Sequence, residues 1–172
     1  MKPRIGITMG DPTGIGPEIV AKAFATGDWR TRCRAVVIGD AGTLRQACRF
    51  AKVDLRVNTV ATPEEALCRP GVMDVLDLKN VDLARLELGK VAAAAGAAAF
   101  AAVKKAIDLA QAGALDAVVT GPIHKKALNL AGHHFAGHTE IFAQHTDTRD
   151  YTMMLAEGNL RVVRVSTHVS LR

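Results

Sequence analysis

The chain has 172 residues, a length that ordinarily forms one domain around a sizeable hydrophobic core. Hydrophobic residues make up 49% of it and aromatic residues only 4%, so the core depends on Ala, Val, Leu and Ile. The net charge of +5 comes from scattered Lys and Arg without interleaved aromatic residues, which disfavours nucleic-acid binding and favours attraction of an anionic metabolite.

Several features of the chain predict a cytoplasmic protein with no membrane partner. The longest apolar run, residues 91–103, is too short to span a bilayer and stops at Lys104. The apolar residues near the N-terminus are too few for a secretory signal. The three cysteines show no C-x-x-C spacing, a pattern that suits a reducing compartment.

The N-terminal stretch predicts a strand, a glycine-rich turn and a helix. Residues 4–9 are mostly apolar, as in a buried parallel strand, and Pro17 suits the first turn of a helix over residues 17–26. Between them, residues 10–16 contain three glycines, which let a ligand approach the backbone next to a helix N-terminus that favours anions. The alternative is a turn that only positions the helix.

The following segments alternate between strand and helix patterns. We expect strands at residues 34–39, 55–60 and 72–78, a helix at residues 41–51, and a short helix beginning near Pro63. The order β-α-β-α-β with short connections predicts an α/β fold with a doubly wound, largely parallel sheet.

An alanine-rich segment predicts the longest helix of the chain. Residues 80–89 are expected to be irregular, and residues 90–112 are rich in the strongest helix former. Gly113 ends this helix, whose small side chains allow close packing on the sheet or on another helix. Residues 115–119 then form another strand.

The polar stretch that follows this strand is the candidate site. After Thr120-Gly121-Pro122, four of the six histidines fall within fifteen residues: His124, His133, His134 and His138. Open α/β sheets bind ligands outside the carboxyl ends of their strands, where short loops converge. We therefore expect a ligand site here.

Two residues at a predicted helix start, His138 and Thr139, stand out within this stretch. An imidazole beside a hydroxyl can hold a phosphate or a hydroxyl group, although Thr139 could instead simply cap the helix. Lys125 and Lys126, placed in a loop, could meet a phosphate or only solvate the surface. Adjacent residues of an extended chain point to opposite faces, so His133 and His134 are not expected to chelate one ion.

The C-terminal part of the chain predicts a hairpin followed by a histidine. Residues 151–155 and 160–166 read as two strands around a loop with Gly158. His168 follows the second strand, where an imidazole can reach into a cleft.

Three separated blocks resemble the 4-hydroxythreonine-4-phosphate dehydrogenase family of vitamin B6 biosynthesis. They are GITMGDPTGIGPE at residues 6–18, TGPIHKKALNLAG followed by GHTE at residues 120–140, and MMLAEGNLRVVRVSTHVSLR at residues 153–172. The resemblance implies a fold of the isocitrate/isopropylmalate dehydrogenase type, present only as its N-terminal half. It divides the chain into a first α/β lobe, residues 1–122, and the beginning of a second lobe, residues 123–172, that carries substrate, metal and dimer contacts.

The resemblance also implies roles for individual residues. His138 and Thr139 match substrate-binding positions, and Gly10, Asp11 and Gly14 match a loop near the NAD cofactor. His168 matches a ligand of a divalent metal (Zn, Mg, Mn or Co) in a T-H-x-P-L-R segment, whose proline is replaced here by Ser170.

The implied reaction is the NAD-dependent oxidation and decarboxylation of 4-phosphooxy-threonine to 3-amino-2-oxopropyl phosphate by a homodimer. Members of the family also act on threonate or erythronate phosphates, or on dihydrodiols. Because the match covers only half of a family member, we expect the 172-residue chain alone to be inactive. The competing hypothesis is a non-catalytic half-length protein that binds a ligand or a partner.

Overall fold

The computed structural model describes residues 2–165, so the predicted metal ligand His168 lies outside the described residues. Within that range the chain forms seven strands, five α-helices and two short 3-10 helices (Asp28–Thr31 and Pro63–Glu65). The strands and α-helices, in chain order, are β1 (Arg4–Thr8), α1 (Gly16–Thr26), β2 (Arg34–Gly39), α2 (Ala41–Ala51), β3 (Arg56–Val60), β4 (Val72–Asp77), α3 (Ala93–Gln111), β5 (Ala117–Thr120), α4 (Lys125–Leu130), α5 (His138–His145), β6 (Met154–Glu157) and β7 (Leu160–Val163).

Five strands form one parallel sheet in the order β3-β4-β2-β1-β5. The register aligns their carboxyl ends, since Thr8 of β1 lies beside both Ile38 of β2 and Thr120 of β5. The predicted doubly wound α/β fold is confirmed. Because β1 and β5 are adjacent and parallel, the loops that follow them meet at the same edge of the sheet.

Helices cover both faces of this sheet. On one face, α1 and α2 bury Val20, Phe24 and Leu44 against Val37 and Val75 of the strands. On the other face, the small side chains of α3 lie directly on the sheet, with Ala102 and Ala106 in the same cluster as Val36, Ile38 and Leu76. Because few aromatic side chains are available, the core is filled by small side chains that bring the helix close to the sheet.

The long helix α3 also packs closely against α4. A Cβ atom on Gly96 would lie 2.1 Å from the carbonyl oxygen of Ala127, so only glycine permits this approach. The prediction that Lys125 and Lys126 lie in a loop is wrong, because both belong to the first turn of α4. Buried Ala127 and Leu128 explain this helix, since its stability comes from packing on α3.

The hairpin of β6 and β7 follows α5 and is exposed along its whole length. Its strands are antiparallel, with Glu157 paired to Leu160 across the turn at Gly158. The hairpin is therefore confirmed, with a first strand that begins three residues later than predicted. None of the helices among residues 2–165 combines the length and apolar character that crossing a membrane requires.

The turns after β1 and β5 are joined by direct backbone contacts. The amide of Gly121 donates to the carbonyl oxygen of Thr8 at 3.0 Å and lies 3.1 Å from its hydroxyl oxygen, and the amide of Asp11 donates to the carbonyl oxygen of Pro122 at 2.9 Å. A Cβ atom on Gly121 would lie 2.6 Å from the carbonyl oxygen of Thr8, and one on Gly10 would lie 2.5 Å from that of Pro122. We call residues 8–11 and 120–122 the glycine junction.

Replacing Gly10 with Ala should destabilise the chain more than replacing Gly71. Both glycines have positive φ, +80° and +68°, so each substitution carries a left-handed backbone penalty of about 1 kcal/mol. Only Gly10 adds a clash with Pro122, since a Cβ on Gly71 meets nothing within 4 Å. We expect Gly10→Ala to lower the free energy of unfolding by about 1–3 kcal/mol more than Gly71→Ala, measured by urea denaturation. Equal losses would contradict the glycine junction.

Candidate functional site

The turn after β1 is shaped by the carboxylate of Asp11. This side chain is 4% exposed, and its Oδ1 atom accepts hydrogen bonds from the backbone amide of Thr13 at 2.8 Å and from the Thr13 hydroxyl at 2.7 Å. Such a side-chain-to-backbone bond holds a tight turn. Asp11 therefore has a structural role in this turn, which is independent of its predicted position near a cofactor.

Asp11 and Gly14 line a cavity of about 240 Å³ at the carboxyl edge of the sheet, and Gly10 does not. Lys90 and His124 lie on the rim of this cavity, and Gly14 is exposed there. Gly10 is buried against Pro122 instead. The structure thus brings the three predicted cofactor neighbours close together, and their role in binding NAD stays a prediction.

The predicted substrate residues His138 and Thr139 open helix α5. The N-cap of that helix is Gly137, and no side-chain capping bond is formed there. Thr139 is therefore not the cap of this helix, which was its alternative role. Both residues line a second cavity, of about 410 Å³, between β5 and α5.

The His138 imidazole is held in a low-polarity setting beside the glycine junction. Burial lowers the pKa of His138, and the nearby backbone of Gly121 opposes this shift in part. Its Nε2 atom is buried and has no hydrogen-bond partner among residues 2–165. A neutral imidazole with an unused nitrogen is suited to binding a polar ligand group.

Sequence patterns did not assign the other polar residues of this cavity. Thr120, Thr146, Thr148 and Tyr151 share it with His138 and Thr139. Thr120 ends a strand, a position at which sheets of this type place ligand groups, so a signal was present. Thr148 and Tyr151 follow α5 without a motif, and only the folded chain brings them to the cavity.

The neighbouring histidines have different surroundings. The His133 ring stacks on Phe100, with ring centroids 3.6 Å apart and an angle of 15° between the planes, whereas His134 is exposed. Burial lowers the pKa of His133, and nearby His134 and His145 lower it further. Lys125 and Lys126 are exposed and line neither cavity.

The described part of the chain does not assemble a metal site by itself. Among residues 2–165, no three His, Cys, Asp or Glu side chains come together in a group that could hold an ion. The residues present therefore do not fit a resident metal without ligands from elsewhere, since catalytic sites for ions such as Zn²⁺ generally use three protein ligands.

Comparisons with known proteins point to one family. Residues 31–172 match the family described as Pyridoxal phosphate biosynthetic protein PdxA. The chain is 48% identical over 170 residues to a putative D-threonate 4-phosphate dehydrogenase of Symbiobacterium thermophilum, covering 99% of this chain and 51% of that protein. It is 43% identical to the D-threonate 4-phosphate dehydrogenase of Cupriavidus necator, covering 98% and 50%. The chain spans about half the length of the curated relatives it matches.

Solved structures agree with these sequence matches. A 4-hydroxythreonine-4-phosphate dehydrogenase from Burkholderia phymatum superimposes with a TM-score of 0.93 at 39% identity, covering 99% of this chain and 51% of that one. A terephthalate 1,2-cis-dihydrodiol dehydrogenase from Burkholderia xenovorans gives a TM-score of 0.76 at 31% identity, covering 99% and 50%. The fold is therefore that of the N-terminal half of such proteins.

Acid should destabilise the folded chain through His138. The unfolded chain binds a proton at this residue with a pKa near 6.5, and the folded chain does so only at lower pH. The free energy of unfolding should therefore be highest above about pH 6.5 and decrease as the pH falls through the lower, folded-state pKa. The pKa of His133 is also lowered, so this residue should add to the loss of stability in acid.

Urea denaturation at pH 7.5 and 5.5 measures this effect. His138→Asn should show a smaller loss of stability between the two pH values than the unchanged chain. The control is His124→Asn, at an exposed histidine of the same stretch. Equal losses in the unchanged chain and the His138 variant would contradict the buried, neutral imidazole.

Proposed function

The chain belongs to the PdxA family of pyridoxal phosphate biosynthetic proteins, and we propose that it forms the N-terminal half of an NAD- and metal-dependent dehydrogenase for a phosphorylated four-carbon hydroxy acid. The observation that carries this proposal is the cavity between β5 and α5, in which His138 and Thr139 lie together. Both side chains line this cavity without a capping bond at the start of α5, and both residues fall in the GHTE block through which the chain resembles the family.

We favour D-threonate 4-phosphate as the substrate over 4-phosphooxy-threonine. The curated relatives named for D-threonate 4-phosphate are 42–48% identical to the chain, whereas the structures named for 4-hydroxythreonine 4-phosphate are 39–40% identical. The two substrates differ at C2, where one carries a hydroxyl group and the other an ammonium group. The second substrate remains the alternative because the matched family is described by pyridoxal phosphate biosynthesis.

In the proposed reaction, the substrate alcohol loses a hydride to NAD⁺ and a proton to its surroundings, giving a keto acid and NADH. The half-buried His138 imidazole, whose lowered pKa favours the neutral form, hydrogen-bonds the substrate, and the Thr139 hydroxyl orients it from the next position.

Other parts of the proposal concern the cofactor and the metal. We propose that Gly10, Asp11 and Gly14 lie near the bound NAD, supported by the cavity of about 240 Å³ beside them. His168 is proposed as one ligand of a divalent metal ion (Zn, Mg, Mn or Co), together with ligands outside residues 2–165. When bound, such an ion would supply a Lewis acid for the substrate oxygen.

We further propose a cytoplasmic homodimer in which residues 1–122 form the first lobe and residues 123–172 begin the second. The exposed apolar side chains of the β6–β7 hairpin support the dimer, because apolar surface of this kind is commonly buried against a partner. They are Met154, Leu155, Leu160, Val162 and Val163.

The 172-residue chain by itself should not reduce NAD⁺ with either substrate and a divalent metal. A chimera of residues 1–172 followed by the C-terminal half of the Symbiobacterium thermophilum relative should do so, because that half would supply the remaining ligands. Absorbance of NADH at 340 nm measures both. Turnover by the isolated chain would contradict the need for a second half.

Within the chimera, kcat/KM should be higher for D-threonate 4-phosphate than for 4-phosphooxy-threonine. His138→Asn should lower kcat/KM by about tenfold, because the substrate loses one hydrogen bond. His134→Asn, at an exposed histidine four residues earlier, is the matched control and should leave kcat/KM unchanged. A chimera that folds but oxidises neither substrate would favour the non-catalytic, ligand-binding alternative.

A further inference from the structure

The last residue of β5, Thr120, lines the same cavity as His138 and Thr139. Side chains alternate along a strand, so Val118 and Thr120 share one face, and both line this cavity. Thr120 is also fixed in place by the sheet. It lies beside fully buried Thr8 in the register of β1 and β5, and the next residue, Gly121, is anchored by two contacts to Thr8.

Four polar side chains that line the cavity make no side-chain hydrogen bond within residues 2–165: Thr120, His138, Thr139 and Tyr151. Among their polar atoms, the Nε2 atom of His138 is buried without a partner. Two other hydroxyl groups in the same cavity are already engaged, since Thr146 and Thr148 lie 2.7 Å apart and the Thr146 hydroxyl donates to the carbonyl oxygen of Phe142. Unused groups that converge on a cavity are suited to a ligand.

The lining of this cavity favours hydroxyl groups over a phosphate group. It includes no Lys or Arg among the described residues, and a phosphate is usually bound by such cations. Glu140 in the first turn of α5 further disfavours an anion at this helix start. Uncharged hydroxyl and imidazole groups pair well with the hydroxyl groups of a sugar acid.

We propose that Thr120 is a third substrate-binding residue, whose hydroxyl acts with Thr139 and His138 to bind the hydroxyl-bearing carbons of the substrate. This inference rests on the proposed function and adds to it the part of the substrate that this cavity holds. The phosphate group is then bound by residues outside the cavity.

The test is titration of the 172-residue chain with ligands, monitored by NMR at the ring signals of His138. Three probes separate the possible sources of binding: D-threonate 4-phosphate, D-threonate and inorganic phosphate. We expect the first two to shift the His138 signals at millimolar concentration and inorganic phosphate to leave them unchanged.

Variants at position 120 test the assignment directly. Thr120→Val removes the hydroxyl at constant shape and should raise the Kd for D-threonate 4-phosphate by about three- to tenfold, the usual effect of losing one hydrogen bond. Thr120→Ser keeps the hydroxyl and should bind within about twofold of the unchanged chain. Thr59→Val, at an exposed threonine of the opposite edge strand β3, is the matched control.

The possible failures are distinguishable. Binding of D-threonate 4-phosphate that is unaffected by Thr120→Val overturns the role of Thr120 and leaves the proposed function intact. Inorganic phosphate that shifts His138 as strongly as D-threonate overturns the recognition of hydroxyl groups. If none of the three probes binds the unchanged, folded chain, both this inference and the proposed substrate class fail.

Discussion

The contact between the ends of β1 and β5 is the constraint on which the site depends. Two glycines allow the backbones to meet within hydrogen-bonding distance, and the hydroxyl and carbonyl of Thr8 hold the amide of Gly121. The same contact sets the position of both cavities. Asp11 and Gly14 follow β1, whereas Thr120 ends β5 and is followed by Gly121, whose backbone lies near His138. A side chain at either glycine would separate the two halves of the candidate site.

Close packing of small residues produces a second effect, the low polarity around His138. Helix α3 lies on the sheet and packs against both α4 and α5, and Gly96 lets α4 approach it closely. The three helices share a buried apolar cluster, which consists of Val103, Ile107, Leu128 and Ile141. Burial of this kind favours the neutral imidazole, and it makes hydrogen bonds near His138 stronger than they would be in water.

Much of this fold could be predicted from the sequence, because its signals are local. Strand β2 and helix α2 have the predicted bounds, helix α5 begins at the predicted helix start, and the alternation of elements predicted the parallel sheet. Helix α4 was missed because its six residues lack a capping side chain and depend on a contact with Gly96, about thirty residues earlier. Similarly, His138 and Thr139 stand in a motif, whereas Thr148 and Tyr151 reach their cavity only through the path of the chain after α5.

The pairing of β1 with β5 also determines the order in which the chain can fold. Thr8 meets Thr120 and Gly121 only after a loop of more than a hundred residues has closed, and closing so long a loop costs entropy before any contact is gained. Proteins dominated by such distant pairings fold slowly. On the ribosome, β1 can pair with β2 early, but its other edge stays open until β5 has been synthesised. The candidate site is therefore among the last parts of the sheet to form, and the open edge of β1 is exposed to other chains until then.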